Sequence, residues 1–243
     1  MKYSREEQLI CAIARMLDGC RNIAVGTASP IPATAALLMQ KVTGGLSRAS
    51  ILGSNVHNPF NDGGPELFDR AGQGRIDAFF LGGGQIDGEG NINLVGTGKY
   101  PQSDTRFPGS YGSAYLYYTV PRVILFREEH SRRVFVDKVD FISAPGWSPP
   151  GIVRRGGPHA LITSLCIFLY DKDIHRFRLS NLLPGVTIEE VQDNTGFQFD
   201  CPDTVGHLRE PEAERVELIR YSVSKELAET YPEFAKTRLG WHA

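Results

Sequence analysis

Three short apolar runs in the first third of the chain, each followed by a polar or glycine-rich turn, constrain the fold more than any other feature. The runs lie at residues 22–25, 49–52 and 76–81, and helical patterns lie between them at residues 31–42 and 65–71. Strands that alternate with helices are typical of βαβ units, in which the strands are parallel and helices cover the sheet. The sequence therefore predicts an α/β fold with an open, mostly parallel sheet and flanking helices.

The ends of these three runs are the first candidates for a ligand site, because open α/β sheets bind ligands beyond the carboxyl ends of their strands. The ends lie at residues 26–30, 53–55 and 82–87. The third begins with three successive glycines, which suit positive φ angles or the close approach of another group. One interpretation is a ligand-facing turn. The other, which composition alone favours, is a hairpin in which Asp87-Gly88 only turns the chain.

Capping boxes predict two further helix starts, one at Ser4 with Glu7 and one at Thr187 with Glu190. The second half is otherwise dominated by strand patterns, so a β-rich second half is expected. The predicted elements there are strands at residues 123–126, 134–143, 160–170 and 175–179 and an amphipathic helix at residues 215–228. No repeat or linker divides the chain, which is interpreted as one domain over residues 1–243. The proline- and glycine-rich residues 144–157 form either a lid or a long surface loop.

Composition bounds the function classes. With 41% hydrophobic and 22% charged residues among 243, the chain suits a soluble protein with a sizeable core. Its formal net charge of -2 gives no electrostatic case for a nucleic-acid or membrane partner. No apolar run approaches the ~20 residues that span a bilayer, and the polar N-terminus is unlike a signal peptide. The four cysteines are far apart and form no CxxC, which predicts unpaired thiols in a cytoplasmic protein.

Generic catalytic motifs do not occur. The glycine triplet does not fit GxGxxG, and the chain has neither a Walker A lysine nor a GxSxG motif. Its six histidines show no HExxH or HxH spacing, so no metal site is expected. Nothing selects a Ser/His/Asp triad, and Ser29, Ser54 and Ser110 are each more typical of turn residues.

More specific motifs are spread over nearly the whole chain. They are the 26–30 turn before a helix, Gly83-Gly84-Gln85-Ile86-Asp87 with Gly90-Asn91-Ile92-Asn93, Pro108-Gly109-Ser110-Tyr111-Gly112, Arg133-Val134-Phe135-Val136, and Leu183-Pro184-Gly185-Val186-Thr187 leading to Asn194-Thr195-Gly196-Phe197. With these motifs the chain resembles the β subunit of family I CoA-transferases. The resemblance implies a CoA-transferase-type fold, an α subunit of similar size as partner, and an acyl-CoA in the groove between the two subunits. It implies no cofactor other than the coenzyme A that is part of the substrate.

One departure from that family matters most. The resemblance implies a glutamate, in a Ser-Glu-Asn-Gly type motif after the second strand, that attacks the thioester and forms an acyl anhydride and then a glutamyl-CoA. This chain reads Leu52-Gly53-Ser54-Asn55-Val56-His57 there and has no acidic residue before Asp62. The position nearest to the missing glutamate is Ser54, so the catalytic residue is unknown. Tyr111 is a second departure, because the family has a glycine there in a turn associated with oxyanion stabilisation.

The missing glutamate is shared with the ring-cleaving hydrolases of bacterial steroid degradation, whose β subunit this chain resembles. Their acid/base glutamate is understood to lie on the α subunit. The resemblance predicts hydrolytic C–C ring cleavage of a cyclic keto acyl-CoA, which needs a base and N–H donors but no anhydride-forming nucleophile. The substrate-binding residues predicted on this basis are Gly26, Ser29, Gly53, Ser54, Asn55, Gly83, Gly84, Gln85, Asp87, Gly109, Ser110, Tyr111 and Gly112.

Two other functions stay open at the level of sequence. The first is a glutaconate- or 3-oxoacid-type CoA-transferase in which residues 57–64 bring Asp62 or Glu66 into the position of the nucleophile. The second is a non-catalytic subunit that binds acyl-CoA or only supports its partner, since loss of a nucleophile is also typical of pseudoenzymes. CoA transfer to a carboxylate acceptor would identify the transferase, and absence of acyl-CoA binding would identify the scaffold.

Overall fold

The structure, a computed structural model, describes residues 3–62 and 64–242. The chain divides into two compact units. The first comprises Met1–Phe80 and Arg209–Ala243, and the second comprises Leu81–Leu208. The sequence-based interpretation of residues 1–243 as one domain stays a prediction.

The amino-terminal segment alternates helix and strand as the sequence predicts. Its elements are α1 (Arg5–Met16), β1 (Asn22–Val25), α2 (Pro30–Val42), β2 (Arg48–Ile51), α3 (Gly64–Gly72) and β3 (Ala78–Leu81). The capping box of α1 is confirmed, because the Ser4 hydroxyl accepts from Glu7 N at 3.1 Å and Ser4 N donates to the Glu7 carboxylate at 2.7 Å. β1 pairs in parallel with both β2 and β3, which makes it the central strand of the three.

The central strand is short and apolar because both of its faces are buried. Ile23, Ala24 and Val25 are fully excluded from solvent, as expected for a parallel strand covered by helices on both sides. Val25 pairs with Ile51 in register, so β1 and β2 end at the same level. The turns that follow them therefore leave the sheet side by side, which places the first two predicted strand-end turns next to each other.

The second unit is rich in strands, as predicted. Its elements are β4 (Gln85–Ile86), β5 (Ile92–Asn93), β6 (Gly96–Thr97), β7 (Thr105–Arg106), α4 (Ser113–Thr119), β8 (Arg122–Arg127), β9 (Pro158–Thr163), β10 (Cys166–Asp171), β11 (Arg176–Leu182), α5 (Ile188–Asn194) and β12 (Gly206–His207). Strands β8 to β12 lie side by side in chain order. The β8–β9 and β11–β12 pairs are parallel, and the β9–β10 and β10–β11 pairs are antiparallel.

Two strand predictions in the second unit are wrong in detail. Residues 134–143 form no regular strand but run along the β4–β5 hairpin, with an isolated bridge between Ile86 and Phe135. Their alternating apolar residues reflect burial of an irregular segment. Residues 160–170 form parts of two strands instead of one, because the Thr163 hydroxyl accepts from the backbone N–H groups of Leu165 and Cys166, both at 3.1 Å, and turns the chain.

The carboxy-terminal segment returns to the first unit. Its elements are α6 (Ala213–Leu218), a π-helical turn (Ile219–Val223), α7 (Ser224–Leu227) and α8 (Pro232–Leu239). The predicted helix over residues 215–228 is thus interrupted by a wide turn. Arg220 in that turn forms a bidentate ion pair with the buried Glu7 of α1, with N–O distances of 2.5 and 2.9 Å. This pair fastens the carboxy-terminal helices to the start of the chain. No helix in the described ranges combines the length and apolar character needed to cross a membrane.

The core of the second unit contains a buried histidine. His130 Nδ1 lies 2.8 Å from the Thr163 hydroxyl, and Nε2 lies 2.9 Å from the Thr195 hydroxyl. Because Thr195 donates its own proton to the carbonyl of Val191, it accepts from His130 Nε2. Burial lowers the pKa of His130 to about 4, so the ring is neutral in the folded protein.

This histidine predicts acid sensitivity. The unfolded chain takes up a proton at His130 below its ordinary pKa of 6.5, whereas the folded protein resists protonation down to about 4. The stabilising contribution is therefore complete above pH ~6.5 and is lost as the pH falls from there toward ~4. We expect the unfolding free energy to drop by about 2 kcal/mol between pH ~7.5 and ~5 from this group. Urea denaturation at both values checks this, and the His130→Gln variant should show a flatter pH dependence. An equally steep dependence in that variant would contradict the assignment.

Candidate functional site

In the first unit, the turns after β1 and β2 touch each other. A Cβ atom on Gly53 would lie 3.5 Å from the Thr27 side chain, and Gly53 itself has a φ of +91° that favours glycine. Gly26 and Ser29 lie in the first turn and are half-buried, whereas Gly53 and Asn55 in the second are exposed. These four predicted substrate-binding residues are therefore brought together with Ser54 at one edge of the parallel strands.

Ser54 is buried, and its hydroxyl is fully used within the first unit. It donates to the Glu229 carboxylate at 2.6 Å and accepts from the backbone N–H groups of Val56 at 3.1 Å and His57 at 2.8 Å. A serine hydroxyl has one donor and two acceptor positions, so all three are occupied. The side chain organises its own loop and has no free position left with which to attack a thioester.

Glu229 supplies a carboxylate at the end of β2 that the local sequence lacks. Its Oε1 accepts from Asn55 N at 2.7 Å, and its Oε2 accepts from the hydroxyls of Ser54 and Thr230, both at 2.6 Å. The Ser54 hydroxyl is the largest of the causes that lower the pKa of Glu229 to about 2, so this carboxylate is ionised at neutral pH. Sequence reasoning missed Glu229 because it lies 175 residues after Ser54 and in no recognisable motif.

The next residues of the carboxy-terminal segment reach the turn after β1. Ser29 N donates to the Tyr231 hydroxyl at 3.3 Å, and the Ser29 hydroxyl donates to the carbonyl of Thr27 at 3.2 Å. One short segment, residues 229–231, therefore contacts both strand-end turns of the first unit.

Neither of the carboxylates proposed from sequence as a relocated nucleophile lies among these contacts. Glu66 accepts from the Arg70 guanidinium at 2.5 and 3.1 Å and from Asn61 N at 2.9 Å. The hydrogen bond from Arg70 is the first cause of the lowered pKa of Glu66. Asp62 is exposed on the same loop. Glu66 thus stabilises the start of α3, and this geometry does not support a role as nucleophile.

In the second unit, the glycine triplet opens the tight β4–β5 hairpin. A Cβ on Gly83 would lie 2.8 Å from the carbonyl oxygen of Gln85, and one on Gly84 would lie 2.2 Å from the Phe107 ring. These glycines are therefore required for close packing. Gln85 is buried and turned inward, where its Oε1 accepts from Asn93 Nδ2 at 2.7 Å and from Asp140 N at 3.0 Å.

Asp87 is the acceptor around which this hairpin turns. Its Oδ1 accepts from the backbone N–H groups of Glu89 at 3.1 Å and Asn91 at 3.0 Å. Its Oδ2 accepts from Asn91 Nδ2 at 3.1 Å and Val139 N at 3.4 Å. Burial raises the pKa of Asp87, and these hydrogen bonds oppose the shift. The hairpin interpretation from sequence describes this geometry, and the roles of Gln85 and Asp87 in substrate binding stay predictions.

A cavity of about 490 Å³ opens beside the same hairpin. Residues of both charge types line it, namely Asp87, Glu89, Asp137, Lys138 and Arg176. Its size is in the range of small-molecule sites. Among the residues that the structure describes, no group of three or more histidine, cysteine or acidic side chains is placed to hold a metal ion.

The turn over residues 109–112 is the most open of the predicted binding segments in the second unit. Gly109 has a φ of +110°, and Tyr111 adopts a positive φ of 41° with 78% of its surface exposed. Ser110 accepts a backbone hydrogen bond from Ser113 at 2.8 Å, and Gly112 caps α4. The roles of these four residues in substrate binding stay predictions.

Comparison with known proteins identifies the family. Residues 7–194 match the sequence profile of the family described as Coenzyme A transferase. The chain belongs to the coenzyme A transferase family. The resemblance drawn from the sequence motifs and the predicted fold class are thereby confirmed.

Relatives within the coenzyme A transferase family carry out different reactions. A subunit of 3-oxoadipate CoA-transferase from Pseudomonas knackmussii is 35% identical over 153 residues, which cover 60% of this chain and 58% of the relative. The IpdB subunit of the cholesterol ring-cleaving hydrolase from Rhodococcus jostii is 33% identical over 159 residues, covering 64% and 62%. The matched region thus spans less than two thirds of either relative. The solved structure of Rhodococcus jostii RHA1 IpdAB is similar with a TM-score of 0.78 and 26% identity, covering 91% of this chain and 94% of that one.

The hydrogen bonds of Asp87 predict a large stability effect. Asp87→Ala should lower the unfolding free energy by about 2–4 kcal/mol, because several buried N–H groups lose their acceptor. Asp171→Ala is the matched control, since Asp171 accepts from Asp173 N and Ile174 N in a solvent-exposed turn. Water replaces that acceptor, so we expect a loss within about 1 kcal/mol. Urea denaturation measures both variants, and equal losses would show that burial of the Asp87 turn has no special weight.

Proposed function

We propose that this chain is the β subunit of a heteromeric enzyme that acts on an acyl-CoA thioester, and that the reaction is hydrolytic C–C cleavage of a cyclic keto acyl-CoA in steroid breakdown. The observation that carries the proposal is the saturated hydroxyl of Ser54 at the end of β2, where the transferase pattern requires a nucleophilic glutamate. The similar solved structure of IpdAB supports both the partner and the reaction class.

The carboxylates of Glu229 and Glu66 are poorly suited to anhydride formation. Both oxygens of Glu229 accept hydrogen bonds, and its pKa of about 2 makes it a weak nucleophile. Glu66 is paired with Arg70. A transferase needs a carboxylate that is free to attack the thioester carbonyl, and a hydrolase does not. The occupancy of these side chains therefore favours hydrolysis.

Ring hydrolysis needs only a base, water and donors for a developing negative charge. A base on the partner subunit would take a proton from water, and the resulting hydroxide would add to the ring ketone. The bond between that carbon and the carbon next to the thioester then breaks, and its electron pair forms the thioester enolate. Protonation of the enolate completes the reaction, with a new carboxylate at the former ketone and the CoA thioester intact. The β subunit would contribute the walls and N–H donors of the site.

Transfer is the second candidate, because the 3-oxoadipate CoA-transferase relative is 35% identical to this chain. The two functions differ in the fate of the thioester. With the complex of this chain and its α subunit in water labelled with heavy oxygen, we expect a cyclic keto acyl-CoA to gain one labelled oxygen in a new carboxylate and to keep its CoA. We expect no CoA exchange onto acetate, succinate or glutaconate. Efficient exchange onto one of these acids would reject the hydrolase and establish the transferase.

A gain-of-function variant tests whether Ser54 occupies the position of the missing nucleophile. Ser54→Glu alone would place a second carboxylate against Glu229, so we combine it with Glu229→Gln, whose amide can donate to the new carboxylate. We expect the double variant to form a glutamyl-CoA with acyl-CoA, detected as a mass increase on this chain and as borohydride-sensitive inactivation.

Ser54→Gln combined with Glu229→Gln is the matched control, because it has the same shape without a carboxylate. Ring opening should fall in both double variants, since each changes the loop after β2. If the glutamate variant forms no more adduct than its control, the alignment of Ser54 with the catalytic position of the transferases is wrong.

A further inference from the structure

The turn between α7 and α8 is built to present side chains to the strand-end loops. The backbone N–H groups of Thr230 and Tyr231 both donate to the carbonyl of Leu227, at 3.0 and 2.8 Å, which fixes the path of residues 228–231. The side chain of Leu227 is buried, and Pro232 starts the next helix directly afterwards. We call residues 228–231 the C-terminal turn. Its short, anchored backbone gives Glu229 a defined position.

The loop that Glu229 contacts depends on that contact for its own shape. Residues 52–57 leave β2 and return to it, where Ile51 N donates to the carbonyl of His57 at 2.9 Å. Inside this loop the Ser54 hydroxyl accepts from two backbone N–H groups, and its proton can point only to Glu229. Glu229 also takes Asn55 N. The carboxylate therefore accepts from two donors of this loop, the Ser54 hydroxyl and Asn55 N.

A second acidic residue from the same helical segment supports this arrangement. Glu226 of α7 forms an ion pair with Lys41 of α2, and its other carboxylate oxygen lies 3.8 Å from His57 Nε2. The middle of the 52–57 loop is thus held by Glu229, and its end lies beside Glu226. Two carboxylates three residues apart therefore lie against the same loop.

The Glu229 contacts are suited to position and contribute little to stability. The side chain is exposed, and hydrogen bonds and ion pairs in contact with water add little free energy. A fixed shape of a few residues, by contrast, is what a reacting site needs, because a displacement of about 1 Å costs roughly 100-fold in rate. We therefore attribute the hydrogen bonds of Glu229 to the positioning of Ser54 and Asn55.

We propose that Glu229 is a positioning residue of the acyl-CoA site, and that its carboxylate holds the backbone of Asn55 in place for contact with the acyl-CoA. Asn55 is exposed in the loop after β2, and its N–H donates to Glu229. This inference rests on the proposed function for the identity of the substrate, but the shape of the loop is independent of it.

Glu229→Gln is the test variant, because it keeps the size of the side chain and removes one acceptor. If its amide NH2 faces Asn55 N, two donors meet. If it faces the hydroxyls, the Ser54 proton loses its acceptor, because both acceptor positions of Ser54 are filled by Val56 N and His57 N. In the complex with the α subunit, we expect the amide protons of Asn55, Val56 and His57 to exchange at least about 10-fold faster. We expect kcat to fall by about 10- to 100-fold, with KM changed by less than about 3-fold. The melting temperature should stay within about 3 °C of the parent.

Glu233→Gln is the matched control, because Glu233 is exposed in the first turn of α8, four residues after Glu229. It should change neither exchange nor kcat. Glu229→Asp, which keeps the charge but shortens the reach, should restore exchange protection in part and kcat in parallel.

The two readouts separate failure of this inference from failure of the proposed function. Unchanged exchange at residues 55–57 in Glu229→Gln would overturn the inference whatever the enzyme does. Faster exchange with unchanged kcat would also overturn it, because the loop would then have no part in turnover. Faster exchange with a matching loss of kcat in a CoA-transfer assay, instead of ring hydrolysis, would support Glu229 as a positioning residue and reject the hydrolase.

Discussion

The hydrogen bond from the Ser54 hydroxyl to the Glu229 carboxylate is the interaction on which the candidate site of the first unit depends. It joins the end of β2 to the C-terminal turn, over a separation of 175 residues. With this acceptor in place, one hydroxyl can order the backbone of Val56 and His57 as well. The shape of the loop after β2 is therefore fixed by a tertiary contact, although the loop itself is one continuous stretch of sequence.

Polar side chains of the second unit are likewise used for internal hydrogen bonds. Gln85 and Asp87 look like ligand-facing residues in the sequence, yet both are buried and hydrogen-bonded to the irregular segment that runs along the hairpin. A buried carboxylate or amide is costly unless its partners are present, so such residues fix one arrangement of the surrounding chain. A polar residue of a motif can thus face a ligand or fix the surrounding chain, and the motif alone does not show which of the two it does.

The chemistry available to the chain follows from which carboxylates are already occupied. In the first unit, the carboxylate that contacts the loop after β2 belongs to Glu229, which is ionised and accepts three hydrogen bonds. An ionised carboxylate with these hydrogen bonds is better suited to fixing the position of its neighbours than to attacking a carbonyl carbon. The coenzyme A transferase family includes relatives named for transfer and for ring cleavage.

The sequence determined the elements whose signals are local. Capping at Ser4 and Thr187, the apolar runs of β1 to β3 and the strand-rich second half all follow from periodicity and caps, which depend on neighbouring residues. The motifs also determined the family, because they are spread along the chain with recognisable spacing. The predicted strand at residues 134–143 is wrong because an irregular buried segment shows the same alternation as a strand.

Only the tertiary structure decided what the strand-end residues contact. Nothing near Ser54 in the sequence indicates that its proton acceptor comes from the far end of the chain, and nothing near Glu229 marks it as part of a site. The π-helical turn at Ile219–Val223 is likewise invisible in the helical pattern of residues 215–228. The physical reason is the same in each case. Helices and strands are set by interactions between near neighbours, whereas the state of a hydroxyl or a carboxylate is set by whichever groups the folded chain brings within about 3 Å of it.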